Sequence, residues 1–206
     1  MNEDKLKAYV DFVTKLIDDY FTNSRKIAIE EMLDTIGDRF FSSPCCSKLE
    51  FSSTGHPCSP GGLVIHSIEV VKLVFKLYKV LNIEESEVPK QSLVLASLFH
   101  DLGKIGTLEQ PFYVPQDDNW RRDKLGELYT INKKIDDSLT HAQRSVRLLS
   151  QFGVELTNLE HDAILLHDGI YVVENQNRES TYTQNKLLRI VHFADMWLTF
   201  MEGRNV

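Results

Sequence analysis

Apolar residues return at three- and four-residue spacing along most of this chain, a period that predicts helices. Residues 3–21 carry Leu6, Tyr9, Phe12, Val13, Leu16, Ile17 and Tyr20 at that spacing, the pattern of an amphipathic helix. A second helix is predicted over 25–36. From 37 to 62 the period is lost and the chain turns rich in Ser, Pro, Gly and Cys (FFSSPCCSKLEFSSTGHPCSPGG), which is loop chemistry. A long helix is predicted over 63–81, where Val64, Ile65, Ile68, Val71, Leu73, Val74 and Leu77 make most of the surface apolar and call for burial. Pro89 opens the next helix, which runs through LASLF to His100-Asp101 and ends at Gly103. Residues 105–136 are again irregular, with a β-leaning stretch over 127–131 suited to a short hairpin. Three more helices are predicted over 138–152, 157–168 and 186–202, closed by Gly153, Gly169 and Gly203. The pattern predicts an all-α fold: one domain over 1–206, with an N-terminal helical extension over 1–40 and a ligand-bearing core over 63–200.

Composition adds limits. With 42% hydrophobic and 26% charged residues the chain is an ordinary globular protein. No apolar run approaches the ~18 residues of a membrane span, and the charged N-terminus MNEDKLKAYVDF has no signal-peptide core. The cysteines, Cys45, Cys46 and Cys58, are odd in number and badly spaced for a disulfide framework or a four-thiolate zinc site. Reduced thiols in a cytoplasm are the expectation. A net charge of −7 argues against a protein that coats nucleic acid. That charge is uneven: residues 121–147 hold seven basic side chains (Arg121, Arg122, Lys124, Lys133, Lys134, Arg144, Arg147) against four acids, which suits either a solvated face or an anion-attracting rim.

The chemistry begins at His100-Asp101. Three His-Asp pairs occur, the others being His161-Asp162 and His167-Asp168, so the dipeptide alone distinguishes nothing. What singles out the first is its context, an apolar run closed by Leu102-Gly103-Lys104. Further ligand types lean toward the core from other helices: His66, His141, His167 and Asp195. Each has a bland reading. A lone histidine on an apolar helix is more often a hydrogen-bonded core residue than a ligand, and Asp195 could accept a bond from a neighbouring helix. But a carboxylate set among Ile190, Val191, Ala194 and Leu198 costs free energy unless paired or bound to metal. Ligand types on five helices are also how helical bundles build metal sites. His161 reads as solvated and His192 as a packing or surface residue.

The order His66, His100-Asp101, His141, His167, Asp195 resembles the HD-domain superfamily of metal-dependent phosphohydrolases. SPGGLVIHS, FHDLGKIG, THAQRSVRLL, AILLHDG and VHFADMW are similar to segments of its stand-alone members and of its HD-type 3′–5′ exoribonucleases, over roughly 40–200. The resemblance implies an HD-domain helical bundle with a binuclear metal site between helices. His66, His100, Asp101 and Asp195 would hold one metal, Asp101 would bridge to a second, and His141 with His167 would complete that second centre. The implied cofactors are two divalent ions, any of Mn, Fe, Ni, Co or Zn. Lys104 looks like the family's basic residue facing the substrate phosphate; its plain alternative is a lysine complementing a helix dipole. His56, in the loop before Gly61-Gly62, is a substrate-side candidate. The implied reaction is hydrolysis of a phosphomonoester or phosphodiester by metal-activated hydroxide. Lys104 and one or more of Arg121, Arg122, Arg144 and Arg147 would offset the developing charge. A small nucleotide is preferred as substrate over a short nucleic-acid end. Two alternatives share these ligands: a di-iron oxygenase of the same fold, and a non-catalytic, metal-stabilised module that binds a nucleotide or a protein.

Overall fold

The chain's continuous apolar stretches become its central helices. In this computed structural model, which describes residues 3–47, 58–135, 138–170 and 172–201, helix α4 spans Gly62–Val80 and α5 spans Lys90–Phe99. Every residue of α5 from Ser92 to Phe99 is buried. Its serines are tolerated there because one, Ser97, turns its hydroxyl back to the Leu93 carbonyl (2.6 Å). α10 (Lys186–Met201) packs against α4, α5 and α8 (Asn158–Leu165), while α7 (His141–Gln151) lies against α8. α1 (Glu3–Tyr20), α2 (Asn23–Ile36) and the short α3 (Asp38–Ser42) precede them. Val13, Leu16, Ile17, Ile29, Met32 and Phe40 from these helices enter the same buried cluster that runs on to Ala194. A bidentate ion pair fastens α2 to α8: Arg25 donates to both carboxylate oxygens of the buried Glu160 at 3.0 and 2.6 Å. Removing Arg25 would leave that carboxylate buried without its counter-charge, a loss of about 3–5 kcal/mol.

The sequence signals that end helices work unevenly. Thr140 and Thr157 each close a capping box, with Gln143 and Glu160 respectively, and so set the starts of α7 and α8. α5, by contrast, stops at Phe99, and Gly103 is no left-handed cap. It lies in a 3₁₀ turn, Leu102–Ile105, where a Cβ would fall 2.0 Å from the His141 carbonyl oxygen and 2.8 Å from Arg144 Cβ. Glycine is there to let α7 approach. Ser145 fastens this junction: its hydroxyl accepts from Gly103 N–H (2.7 Å) and reaches the His100 carbonyl at 2.8 Å.

The expected hairpin is a two-stranded antiparallel ladder, β1 (Tyr113–Pro115) with β2 (Tyr129–Ile131), Val114 facing Thr130. The strands are parted by α6 (Asn119–Leu125), which the helical period did not reveal because none of its residues is buried. The short α9 (Glu179–Gln184) was hidden for the same reason.

The cysteine expectation needs correction: Cys46 and Cys58 form a disulfide. The chain after α3 returns to the start of α4, where Gly61 N–H donates to Ser42 O (2.9 Å) and Leu63 N–H to Ser43 O (3.1 Å), and this return brings the two cysteines together. A spacing of twelve residues carries no hint of it. Cys45 stays outside the disulfide and is buried. His56 lies outside the described residues. Among the described residues no helix is long and apolar enough to cross a membrane.

Candidate metal centre

The five histidine and aspartate side chains that gather about Asp101 each arrive from a different element. His66 sits in the second turn of α4, His100 just past α5, Asp195 in the middle of α10, His141 at the first position of α7, and His167 in the turn after α8. The structure brings all of these together around Asp101. His66 Nε2 is 3.3 Å from His100 Nε2 and 3.0 Å from Asp195 Oδ1, and His100 Nε2 is 3.7 Å from that same oxygen. On the other side, His141 Nε2 is 3.2 Å from His167 Nε2.

Asp101 stands between these two groups and divides its oxygens. Oδ2 is 3.5 Å from His100 Nε2 and 3.8 Å from His66 Nε2, while Oδ1 is 3.2 Å from His141 Nε2 and 3.4 Å from His167 Nε2. Oδ1 is fully buried and makes no hydrogen bond. Lys104 Nζ approaches Oδ2 at 2.6 Å and the Cys45 sulfur at 3.7 Å.

Second contacts orient the rings. The Nδ1 of His100 donates to the Ser97 carbonyl (2.9 Å) and that of His167 to the Ile164 carbonyl (2.7 Å). With Nδ1–H so spent, Nε2 is the free face of each imidazole. The His167 carbonyl in turn accepts from His192 Nδ1 at 2.7 Å. This carbonyl sits where Gly169 turns the chain at φ +83°, and a Cβ there would strike the His192 ring at 2.4 Å.

The electrostatics call for cations. Burial opposes charge on His100, yet Asp101 and Asp195 lift it to about 10. Burial is outweighed in the same way at Asp101, held well below the usual carboxylate range by Lys104 and His100, and at Asp195, lowered by hydrogen bonds from His100 and His66. Tyr113, on β1, is pushed up to about 12 by burial, despite the ammonium of Lys104 beside it.

The donor set fits divalent metal. Ligand atoms ~2.1 Å from one ion stand roughly 3.0–3.4 Å apart at octahedral to tetrahedral angles; the second group spans 3.2–3.4 Å and the first a looser 3.0–3.8 Å. Imidazole Nε2 atoms stand 3.2–3.3 Å apart in each group, a separation held by a shared proton in the metal-free protein and equally suited to two ligands of one ion. Among the described residues four sets have ligand atoms within 4.8 Å of one another: Cys45, His66 and Asp101; His66, His100 and Asp195; His100, Asp101 and His167; and His141, His167 and Asp168.

The basic residues are distributed differently from the ligands. Lys104 is buried at the centre. Arg144 is also buried, with its guanidinium donating to the carbonyls of Gly103 (3.2 Å) and Leu139 (3.1 Å) and lying 5.0 Å from the Phe112 ring centroid. It clamps the 3₁₀ turn to α7. Arg121 pairs with Glu127 (2.8 Å), and Arg122 donates to the Gln116 carbonyl (3.1 Å) and to Asn119. Arg147 is exposed beside Thr107, Leu108 and Glu109. Sequence reasoning missed Asp168, whose one signal was the second half of a His-Asp pair set aside as common. It also underrated Cys45 and His192, for which the sequence holds no signal beyond proximity.

A family model described as HD domain matches residues 63–197. No curated protein and no solved structure matches the chain.

Proposed function

This chain belongs to the HD-domain family, whose members are generally metal-dependent hydrolases, and we propose that it is a phosphohydrolase working with two divalent cations. His66, His100, Asp101 and Asp195 would hold one, and Asp101, His141 and His167 the other. One observation carries this reading: the two oxygens of Asp101 face different pairs of imidazoles, and the oxygen turned to His141 and His167 has no hydrogen bond. A carboxylate serving one cation would leave no reason for that second buried, unsatisfied oxygen. Cations bound there would lower the pKa of a water and offset charge on a phosphoryl group.

The chain's own residues do the rest. The Nδ1 bonds to Ser97 and Ile164 hold two imidazoles in one tautomer and one orientation. Lys104 compensates Asp101 in the metal-free protein. With cations neutralising that carboxylate, its ammonium supplies a positive group for a phosphate oxygen. The four arginines have partners or settings of their own, so Lys104 is the cation best placed for this task. A nucleotide phosphomonoester or phosphodiester suits an acidic chain better than extended nucleic acid.

The test is anaerobic. Chelator-stripped protein reloaded with Mn²⁺ under nitrogen should release phosphate or nucleoside from a panel of nucleotides, cyclic nucleotides and short oligonucleotides. Lys104→Ala should keep its metal and lose about 10- to 100-fold in kcat. Silence with Mn²⁺ joined to dioxygen uptake by the iron-loaded protein would replace this reading with the oxygenase. Metal binding with neither activity would leave a binding module.

A further inference from the structure

The second group of ligands is one short. With Asp101 shared, His141 and His167 give that cation three protein ligands, whereas the first would have four. The structure supplies a fourth. Asp168 Oδ2 lies 3.3 Å from His141 Nε2, and Asp168 Oδ1 lies 3.8 Å from His167 Nε2. We propose that Asp168 is a metal ligand of the second centre, so that His141, His167, Asp101 and Asp168 together bind one divalent cation. This rests on the two-cation reading above.

Three observations support it. The buried, unsatisfied Oδ1 of Asp101 faces the same two imidazoles, 3.2 and 3.4 Å away, so two carboxylates converge on one pair of histidines. Two anions do not share so small a space without a cation to hold them. The charge balance agrees. Among the described residues Lys104 pairs directly with Asp101, while Asp168 and Asp195 meet the cluster through the imidazoles, so with neutral imidazoles the carboxylates outnumber the cation paired with them. A site that repels anions cannot receive a phosphate; with two divalent cations in place the same site attracts one. The third observation is position. Asp168 also lines a cleft of about 100 Å³ with Thr140, Gln143, Asn175 and Arg178. It therefore stands between the second centre and the outside, where a ligand on that cation closes the sphere on its solvent side.

The backbone holds Asp168 in place independently of any metal. Gly169 N–H donates to the Leu166 carbonyl (3.0 Å), and Asn175 Nδ2 donates to the Gly169 carbonyl (3.0 Å). Asp168→Asn and Asp168→Ala should consequently keep the wild-type fold, which circular dichroism and a cooperative melting transition of the chelated proteins would establish.

The experiment is equilibrium dialysis of the full chain against Mn²⁺ or Zn²⁺ over a concentration series, with metal counted per chain by mass spectrometry. Wild type should take up two ions. Asp168→Asn and Asp168→Ala should bind the first within about threefold of wild type and the second at least tenfold more weakly. Asp168→Glu should recover part of that affinity. Asp162→Asn, which removes an acid that pairs with His161 at 3.3 Å, should bind as wild type and so exclude a general charge effect. If Asp168→Asn bound two ions with unchanged affinities, Asp168 would not be a ligand, and the two-cation reading would survive. If wild type never exceeded one ion per chain, that reading would fall and this proposal with it.

Discussion

The two halves of the His/Asp cluster differ in how far they reach the surface, and so in what they can tolerate. His66, His100 and Asp195 belong to the core: the histidines are 0% exposed, Asp195 is 8% exposed, and the helices that carry them bury most of their neighbours. His141 and Asp168 lie at helix ends, with side chains 22% and 29% exposed. Core helices hold ligands rigidly, because moving one would mean repacking Leu93, Leu98 or Val191. Helix ends give access and can adjust. A metal centre that must admit a substrate needs both, and the contrast suggests an inner half that holds metal and an outer half that meets substrate.

The residue that joins the halves should be the most sensitive. Asp101→Ala is expected to remove both ions and all measurable turnover. It should also destabilise the metal-free protein by about 3–5 kcal/mol, because Lys104 would stay buried without its counter-charge. Metal content and chemical denaturation of the chelated variant measure the two effects separately. Retention of two ions per chain would show that the halves are not joined through this side chain.

The next effect distinguishes the halves. His66→Ala should cost about 3–5 kcal/mol, since it opens a cavity in α4 and leaves Asp195 without its 3.0 Å partner. His141→Ala, at a capped helix start and partly exposed, should cost no more than about 1 kcal/mol, yet still reduce bound metal from two ions to one. Equal destabilisation by the two would mean that the inner and outer halves share one degree of rigidity.

The same division explains how much was legible in the sequence. α4, α5 and α10 carry long apolar periods, so their spans and the inward lean of His66, His100 and Asp195 could be read from spacing. α8 was predicted to run through His167 but ends at Leu165, because chain reversal at Gly169 depends on the His192 ring packed against it, a contact from a helix more than 20 residues away. Asp168 was passed over for the same reason: as one of three His-Asp pairs it looked common, and only the turn after α8 aims it at His141. Gly103 was read as a cap when its role is the close approach of α7. The Cys46–Cys58 bond depends on a chain return that no local pattern encodes. Local periodicity reports which face of a helix is buried; it is silent on what happens where helices stop.

The smallest expected effect is on pH dependence, and it separates the halves by degree. His100, in the inner half, titrates near 10 in the metal-free fold against an ordinary 6.5, so the stability it contributes is complete below pH 6.5 and is lost as pH rises toward 10. His167 is raised too, by Asp168 and Asp101 against the opposing effect of burial. Asp101, Asp168 and Asp195 are lowered from 3.8, so their contribution is present above that value and disappears as pH falls through their depressed ones. The chelated protein should therefore melt highest between about pH 4 and 6.5 and lose several degrees toward pH 9–10. Divalent metal requires deprotonated imidazoles, so the metal-loaded protein should gain on the chelated one across that same alkaline range. Asp195→Asn removes a carboxylate that raises His100 and should flatten the alkaline slope of the chelated protein; Asp168→Asn, acting on His167, should flatten it less. Melting curves in parallel buffers with and without chelator decide this. A slope flattened equally by both variants would show that the outer histidine carries as much of the cluster's charge as the inner one, and the distinction between a holding half and a receiving half would lose its electrostatic basis.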